Sequence, residues 1–140
     1  MDSPNESPAP PSCCSAKLLV VDDHDLLRES MRSMLESESD LLVVDEAKDG
    51  QEAIELCHLH RPDLVVTDVR TPRIHGFEAT RLIKEELYAT KVLIMSAYHH
   101  GGFVSEAMRA GAEGYVLKLA PLTEILKAVR GALEGEPQYP

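Results

Sequence analysis

Three carboxylates, a hydroxyl and an amine close four apolar runs of this chain. Lys17-Leu-Leu-Val-Val ends in Asp22 and Asp23, and Asp63-Leu-Val-Val-Thr ends in Asp68. Lys91-Val-Leu-Ile-Met ends in Ser96, and Gly114-Tyr-Val-Leu ends in Lys118. Two unit charges ~4 Å apart repel by about 4 kcal/mol at an effective dielectric near 20. If Asp22, Asp23 and Asp68 share a crevice, they therefore need a counter-ion. Mg²⁺ suits them, because it takes oxygen ligands and keeps waters and phosphate oxygens in its shell. Zinc does not, since no Cys/His cluster of suitable spacing accompanies the acids. Lys118 supplies a mobile positive charge for a carboxylate or a phosphoryl group. Ser96 supplies a hydroxyl donor. Together these residues describe a site for a cation and a phosphoryl group.

Such a site forms only if the run ends converge. Short Val/Leu/Ile runs read as buried parallel strands. Strands are expected over 17–22, 41–46, 63–68, 91–96 and 114–117. Helical spacing is expected over 25–37, 50–60, 77–87 and 102–110, with a last helix opening near Pro121. Arg61-Pro62 ends the second helix, and Gly111 ends the fourth. Regular β/α alternation predicts a doubly wound α/β fold, with one parallel sheet between two helical layers. Order 2-1-3-4-5 places the first and third strands side by side at the switch point, where their carboxyl ends form the binding crevice.

The chain has 140 residues, 44% hydrophobic and 4% aromatic, enough for one domain with a real core. No apolar run approaches the ~20 residues of a membrane span, and the first residues lack the pattern of a secretory signal. The expected compartment is the cytoplasm. A net charge of −10 makes the chain a poor nucleic-acid binder by itself. Cys13 and Cys14 are adjacent and Cys57 lies in a helical pattern, which suggests a reducing compartment rather than a disulfide framework. Residues 1–16 hold four prolines and four serines and read as a disordered tail.

Four segments in order carry a family resemblance. They are Val21-Asp22-Asp23-His24, Pro62-Asp63 through Asp68 to Pro72 and Gly76, Met95-Ser96-Ala97, and Ala112-Glu-Gly-Tyr115-Val-Leu-Lys118. Over 17–134 the chain resembles the response-regulator receiver domain of two-component signalling, a flavodoxin-like (CheY-like) fold. The resemblance implies that Asp68 is the phosphoacceptor, taking a phosphoryl group from a sensor histidine kinase or phosphotransfer protein. It implies that Asp23, Asp68 and the Arg70 backbone carbonyl ligate Mg²⁺, with Asp22 acting mainly through metal-bound water. Lys118 would contact the acyl phosphate, Ser96 would be the switch hydroxyl, and Tyr115 the switch aromatic that turns inward.

The Asp-Asp-His opening and the segment before Lys118 are most similar to the NarL/FixJ group. There a LuxR-type helix-turn-helix module binds DNA under phosphorylation control, and residues 135–140 would begin the linker to it. A phosphorylation-linked homodimer and DNA contact only through that output module follow from the resemblance. A stand-alone regulator remains an alternative. A small Mg-dependent aspartyl-phosphate phosphatase is a weaker one, because such enzymes want an acid two residues after the nucleophile and this chain has Arg70 there. A degenerate receiver is not supported, since Asp22, Asp23, Asp68, Ser96 and Lys118 are all present.

Arg70 and Tyr98 occupy positions bordering the attacking water, so they are expected to tune dephosphorylation. Leu119 follows Lys118 where many receivers carry a cis proline, and a trans bond is expected here. His75 reads as an exposed loop residue, and His24 as part of the loop after the first strand. His58 and His60 do not share a helix face and are not expected to ligate metal.

Overall fold

A computed structural model describes residues 15–97 and 101–139. Tyr98, Cys13, Cys14 and nearly all of the expected tail lie outside the described residues. The elements are β1 (Ala16–Val21), α1 (Asp25–Glu36), β2 (Leu41–Ala47), α2 (Gly50–His60), β3 (Leu64–Asp68), α3 (Gly76–Glu86), β4 (Lys91–Ser96), α4 (Gly101–Ala110), β5 (Gly114–Leu117) and α5 (Leu122–Leu133). All five strands are parallel, in the order β2-β1-β3-β4-β5. The predicted fold class and order are therefore observed. The element limits shift by one residue at most, and Ala16, assigned to the tail, already pairs with Leu41.

Alternation along each strand divides the core into two faces. Leu19, Val21, Val65, Val92 and Ile94 meet Ala53 and Cys57 of α2, Ile83 of α3 and Ala107 of α4. Leu18, Val20, Leu64, Val66, Leu93 and Met95 meet Leu35 of α1 and Ile125, Ala128, Val129 and Ala132 of α5. Cys57 is fully buried, and desolvation pushes its thiol up to about 12. It is an apolar filler rather than a nucleophile.

Local signals set the helix ends. Arg61 adopts a left-handed conformation (φ 49°) at the end of α2, and its N–H donates to the Cys57 carbonyl. Gly111 (φ +93°) ends α4, with the Ala112 N–H returning to the Ala107 carbonyl at 3.1 Å. Pro121 is the N-cap of α5 rather than its first helical residue. Among the described residues no peptide bond is cis.

Arg130 of α5 ties down the turn between α1 and β2, donating to both carboxylate oxygens of Asp40 and to Glu38 at 2.7 Å. These hydrogen bonds hold the Asp40 carboxyl below its ordinary value, outweighing a small desolvation effect. A depressed carboxylate stabilises the fold above its unfolded pKa and loses that contribution as pH falls through the folded value. Because the charges are about 40% exposed, Arg130→Ala should cost about 1 kcal/mol at pH 7. Urea unfolding should show the gap from wild type closing as pH falls below the carboxylate range.

Candidate functional site: an acidic cleft at the carboxyl edge of the sheet

Strand register builds the site. Val21 pairs with Thr67, so the next residues, Asp22 and Asp68, leave β1 and β3 side by side. Asp68 pairs with Met95, and Ser96 with Leu117, which brings Ser96 and Lys118 to the same edge. Asp23, Asp68, Arg70, Ser96 and Lys118 line one cleft of about 360 Å³. Asp22 borders it from beneath, lining a smaller recess with Asp68 and Lys118. Five side chains drawn from distant parts of the chain thus converge as the run ends predicted.

Lys118 is the centre of charge. Its Nζ lies 2.7 Å from Asp22 Oδ2 and 3.3 Å from Asp68 Oδ1, and the three side chains are only 15%, 9% and 12% exposed. Burial pushes the Asp68 carboxyl up; the Lys118 charge opposes this and Asp22 reinforces it, leaving Asp68 above its ordinary value. Burial alone would lower Lys118. Its hydrogen bond to Asp22 and the Asp68 charge outweigh that, so the ammonium is held more firmly. Lys118 and, at the exposed wall, Arg70 face three carboxylates, with Asp23 facing solvent at 38% exposure.

The loop after β3 folds back tightly onto the backbone of Asp68 and Val69. The Gly76 N–H donates to the Val69 carbonyl at 2.9 Å. A Cβ at Gly76 would lie 2.4 Å from the Asp68 carbonyl oxygen, so this approach requires glycine. Thr71 Oγ1 donates to the Ile74 carbonyl at 2.6 Å. His75, read from sequence as a plain loop residue, caps α3: its Nδ1 accepts from the Phe77 N–H at 3.4 Å.

Two contributors carried no clear sequence signal. His24 Nδ1 sits 3.4 Å from Asp22 Oδ1 and 3.2 Å from Asp23 Oδ1, so this residue of the loop after β1 also joins the acidic cluster. Arg28 fixes that turn from one helical turn further on. Its Nη1 donates to the Asp22 carbonyl at 2.8 Å, its Nε to Glu46 and its Nη2 to Asp25. Arg28 lies four residues after His24, but Glu46 arrives from β2 and is invisible to local spacing. His58 and His60 instead each take a carboxylate partner, Glu86 and Asp45.

Tyr115 does not line the cleft. It is 2% exposed, inside the core face formed with α4. Ser96 is buried at the end of β4, and its carbonyl accepts from the Lys118 N–H at 2.8 Å. Arg70 is exposed at the cleft wall.

A parallel 2-1-3-4-5 sheet with a lysine-bridged pair of aspartates at its switch point defines a class of phosphoryl-accepting signalling domains. The chain belongs to the response regulator receiver domain family, whose model matches residues 18–130. It is 38% identical over 119 residues to the transcriptional regulatory protein LnrK of Bacillus subtilis, covering 85% of this chain and 54% of that protein. It is also 38% identical over 120 residues to the response regulator protein VraR of Staphylococcus aureus, covering 86% and 57%. The chain thus spans about half the length of these relatives. Among solved structures it resembles the signal receiver domain of the response regulator NarL from Mycobacterium tuberculosis, with 35% identity and a TM-score of 0.84 over 87% of this chain and 98% of that one. A LuxR-family two-component response regulator from Aurantimonas sp. SI85-9A1 gives 36% identity and a TM-score of 0.85, covering 89% of each chain. Among the described residues no helix is long and apolar enough to cross a membrane.

Proposed function

We propose that Asp68 is the phosphoacceptor of this receiver domain, charged by a histidine kinase or phosphotransfer protein in the cytoplasm. The observation that carries the reading is the Lys118 bridge between Asp22 and Asp68. It holds a carboxylate nucleophile in a half-open cleft beside a cation able to follow the incoming phosphoryl group. A carboxylate oxygen of Asp68 attacks the phosphorus of a phosphohistidine. The O–P bond forms, the P–N bond breaks, and the imidazole leaves with the bonding pair and takes up a proton.

The donor set fits Mg²⁺. Asp22 and Asp23 offer carboxylate oxygens within 4.8 Å of one another, and Asp68 and Arg70 line the same cleft as Asp23. Asp23, Asp68 and the Arg70 carbonyl would hold the ion, with Asp22 acting through its waters. When bound, Mg²⁺ offsets negative charge on the transferring phosphoryl oxygens. The protein does the rest. Arg28 and the sheet register hold the acids in place, and Lys118 pairs with the phosphoryl group. Ser96 donates a hydrogen bond to it.

Phosphorylation adds about −1.5 to −2 charges and strong acceptors at Asp68. Ser96 draws the loop after β4 toward the new group, and Tyr115 turns to the inward position and is held there. Arg70, on the cleft wall, and Tyr98 tune the lifetime of the acyl phosphate. The switched state promotes a homodimer and, in line with relatives named as transcriptional regulatory proteins, controls transcription through a DNA-binding module.

Acetyl phosphate with Mg²⁺ provides the test. Intact mass should show one phosphoryl group per chain, with no sustained turnover of a phosphomonoester such as p-nitrophenyl phosphate. Rapid multiple turnover of the ester would favour the phosphatase alternative instead.

A further inference from the structure

One edge of the sheet is β5. Edge strands offer unpaired N–H and C=O groups that other segments can use. Here the chain's own residues 136–139 take them. After α5 it reverses at Gly135 (φ +80°), with the Glu136 N–H returning to the Gly131 carbonyl at 2.9 Å. The Gln138 N–H then donates to the Glu113 carbonyl at 2.8 Å. The Tyr115 N–H donates to the Gln138 carbonyl at 2.9 Å, forming a parallel bridge opposite Gly114. The Tyr139 hydroxyl donates to the Ala112 carbonyl at 2.5 Å.

Gly114 makes room for this strap: a Cβ there would lie 2.6 Å from the Gln138 carbonyl oxygen. Tyr139 packs against the same core cluster that buries Tyr115. Pro137, Gln138 and Tyr139 share one groove with Tyr115, Val116 and Leu117. The strap is therefore tied to the Tyr115 main chain and, through Tyr139, to the core face that holds its ring. A ring that left the core would disturb both ties.

We infer that residues 136–139 are an intramolecular docking strap that reads the state of Tyr115: it seats on the β5 edge when Tyr115 is inward and detaches when Tyr115 is outward. The inference rests on the proposed role of Tyr115 as the switch aromatic. A strap seated only in the switched state fixes the direction in which the chain leaves the receiver. A buried event at Asp68 thereby becomes a change in the path of the polypeptide after α5. Because coupling between sites is reciprocal, a strap that cannot seat also weakens the switched state.

Amide hydrogen exchange with mass spectrometry tests this on the full chain, with and without Mg²⁺ and acetyl phosphate. Intact mass on the same samples reports phosphoryl uptake. Phosphorylation should slow exchange at Tyr115 and Gln138 on the order of fivefold or more, the lower end of ordinary site-to-site coupling. Gln138→Pro removes the donor to Glu113 without touching the cleft, so it should accept the phosphoryl group and lose the gain in protection at Tyr115. A phosphorylated wild-type chain with unchanged or faster exchange at both amides overturns the strap alone. A chain that takes up no phosphoryl group overturns the phosphoacceptor reading, and the strap with it.

Discussion

Asp68→Asn should abolish phosphoryl uptake from acetyl phosphate while leaving the fold intact. The amide keeps the shape of the carboxylate at the end of β3 but has no anionic oxygen to attack phosphorus. Removing a nucleophile of this kind costs on the order of 10⁴-fold or more. Folding should not suffer, because burial holds the wild-type carboxyl above its ordinary value and Asp22 adds repulsion. A carboxyl raised in the folded state destabilises that state once ionised. The penalty is absent below the unfolded pKa and grows as pH rises through the folded value. In metal-free buffer near neutrality, Asp68→Asn should therefore melt at or above the wild-type temperature, and the difference should shrink on acidification. Phosphate release assays and thermal melts check the two halves separately.

Lys118→Met should damage both stability and chemistry. The ammonium is the cation found on Asp22 and Asp68, and all three groups are mostly buried. Removing it leaves two carboxylates facing each other without compensation. Breaking a buried pair from one side costs about 3–5 kcal/mol, partly relieved here if Asp68 takes up a proton. The loss should be largest at neutral and alkaline pH, and added Mg²⁺ should recover some of it by supplying another cation. Phosphoryl uptake should fall by about 10²-fold, the usual effect of removing one electrostatic partner of a transferring group. Guanidinium unfolding with and without Mg²⁺, and acetyl phosphate kinetics, read these outcomes. Lys118→Arg should restore more of the stability than of the chemistry, because its planar fork does not reproduce a compact ammonium.

The parts legible in the sequence were those set by local pattern. The Val/Leu/Ile runs, the stops at Arg61-Pro62 and Gly111, and the β/α alternation led directly to the observed strand order. Once that order is known, parallel register alone carries Asp22, Asp68, Ser96 and Lys118 to one edge. What escaped depends on partners distant in the chain. Arg28 reads as one more polar residue on a helix until Glu46 and the Asp22 carbonyl are placed around it. His75 reads as loop because its capping role depends on the conformation imposed where Gly76 closes on Val69. Leu27 fits the apolar stripe of α1, yet it is 48% exposed and lines the cleft. Residues 135–140 resemble the linker of the NarL/FixJ group. The place of residues 136–139 along β5 depends on the close approach of Gln138 to Gly114, which no single segment reveals.

Locating the phosphoryl group tests the central claim most directly. The wild-type protein, incubated with Mg²⁺ and acetyl phosphate, would be digested at acidic pH to preserve acyl phosphates and mapped by tandem mass spectrometry. A single hydroxylamine-labile phosphoryl group on the peptide containing Asp68 is the predicted result. A phosphoryl group on Asp22, Asp23 or any histidine, with Asp68 unmodified, would contradict the account.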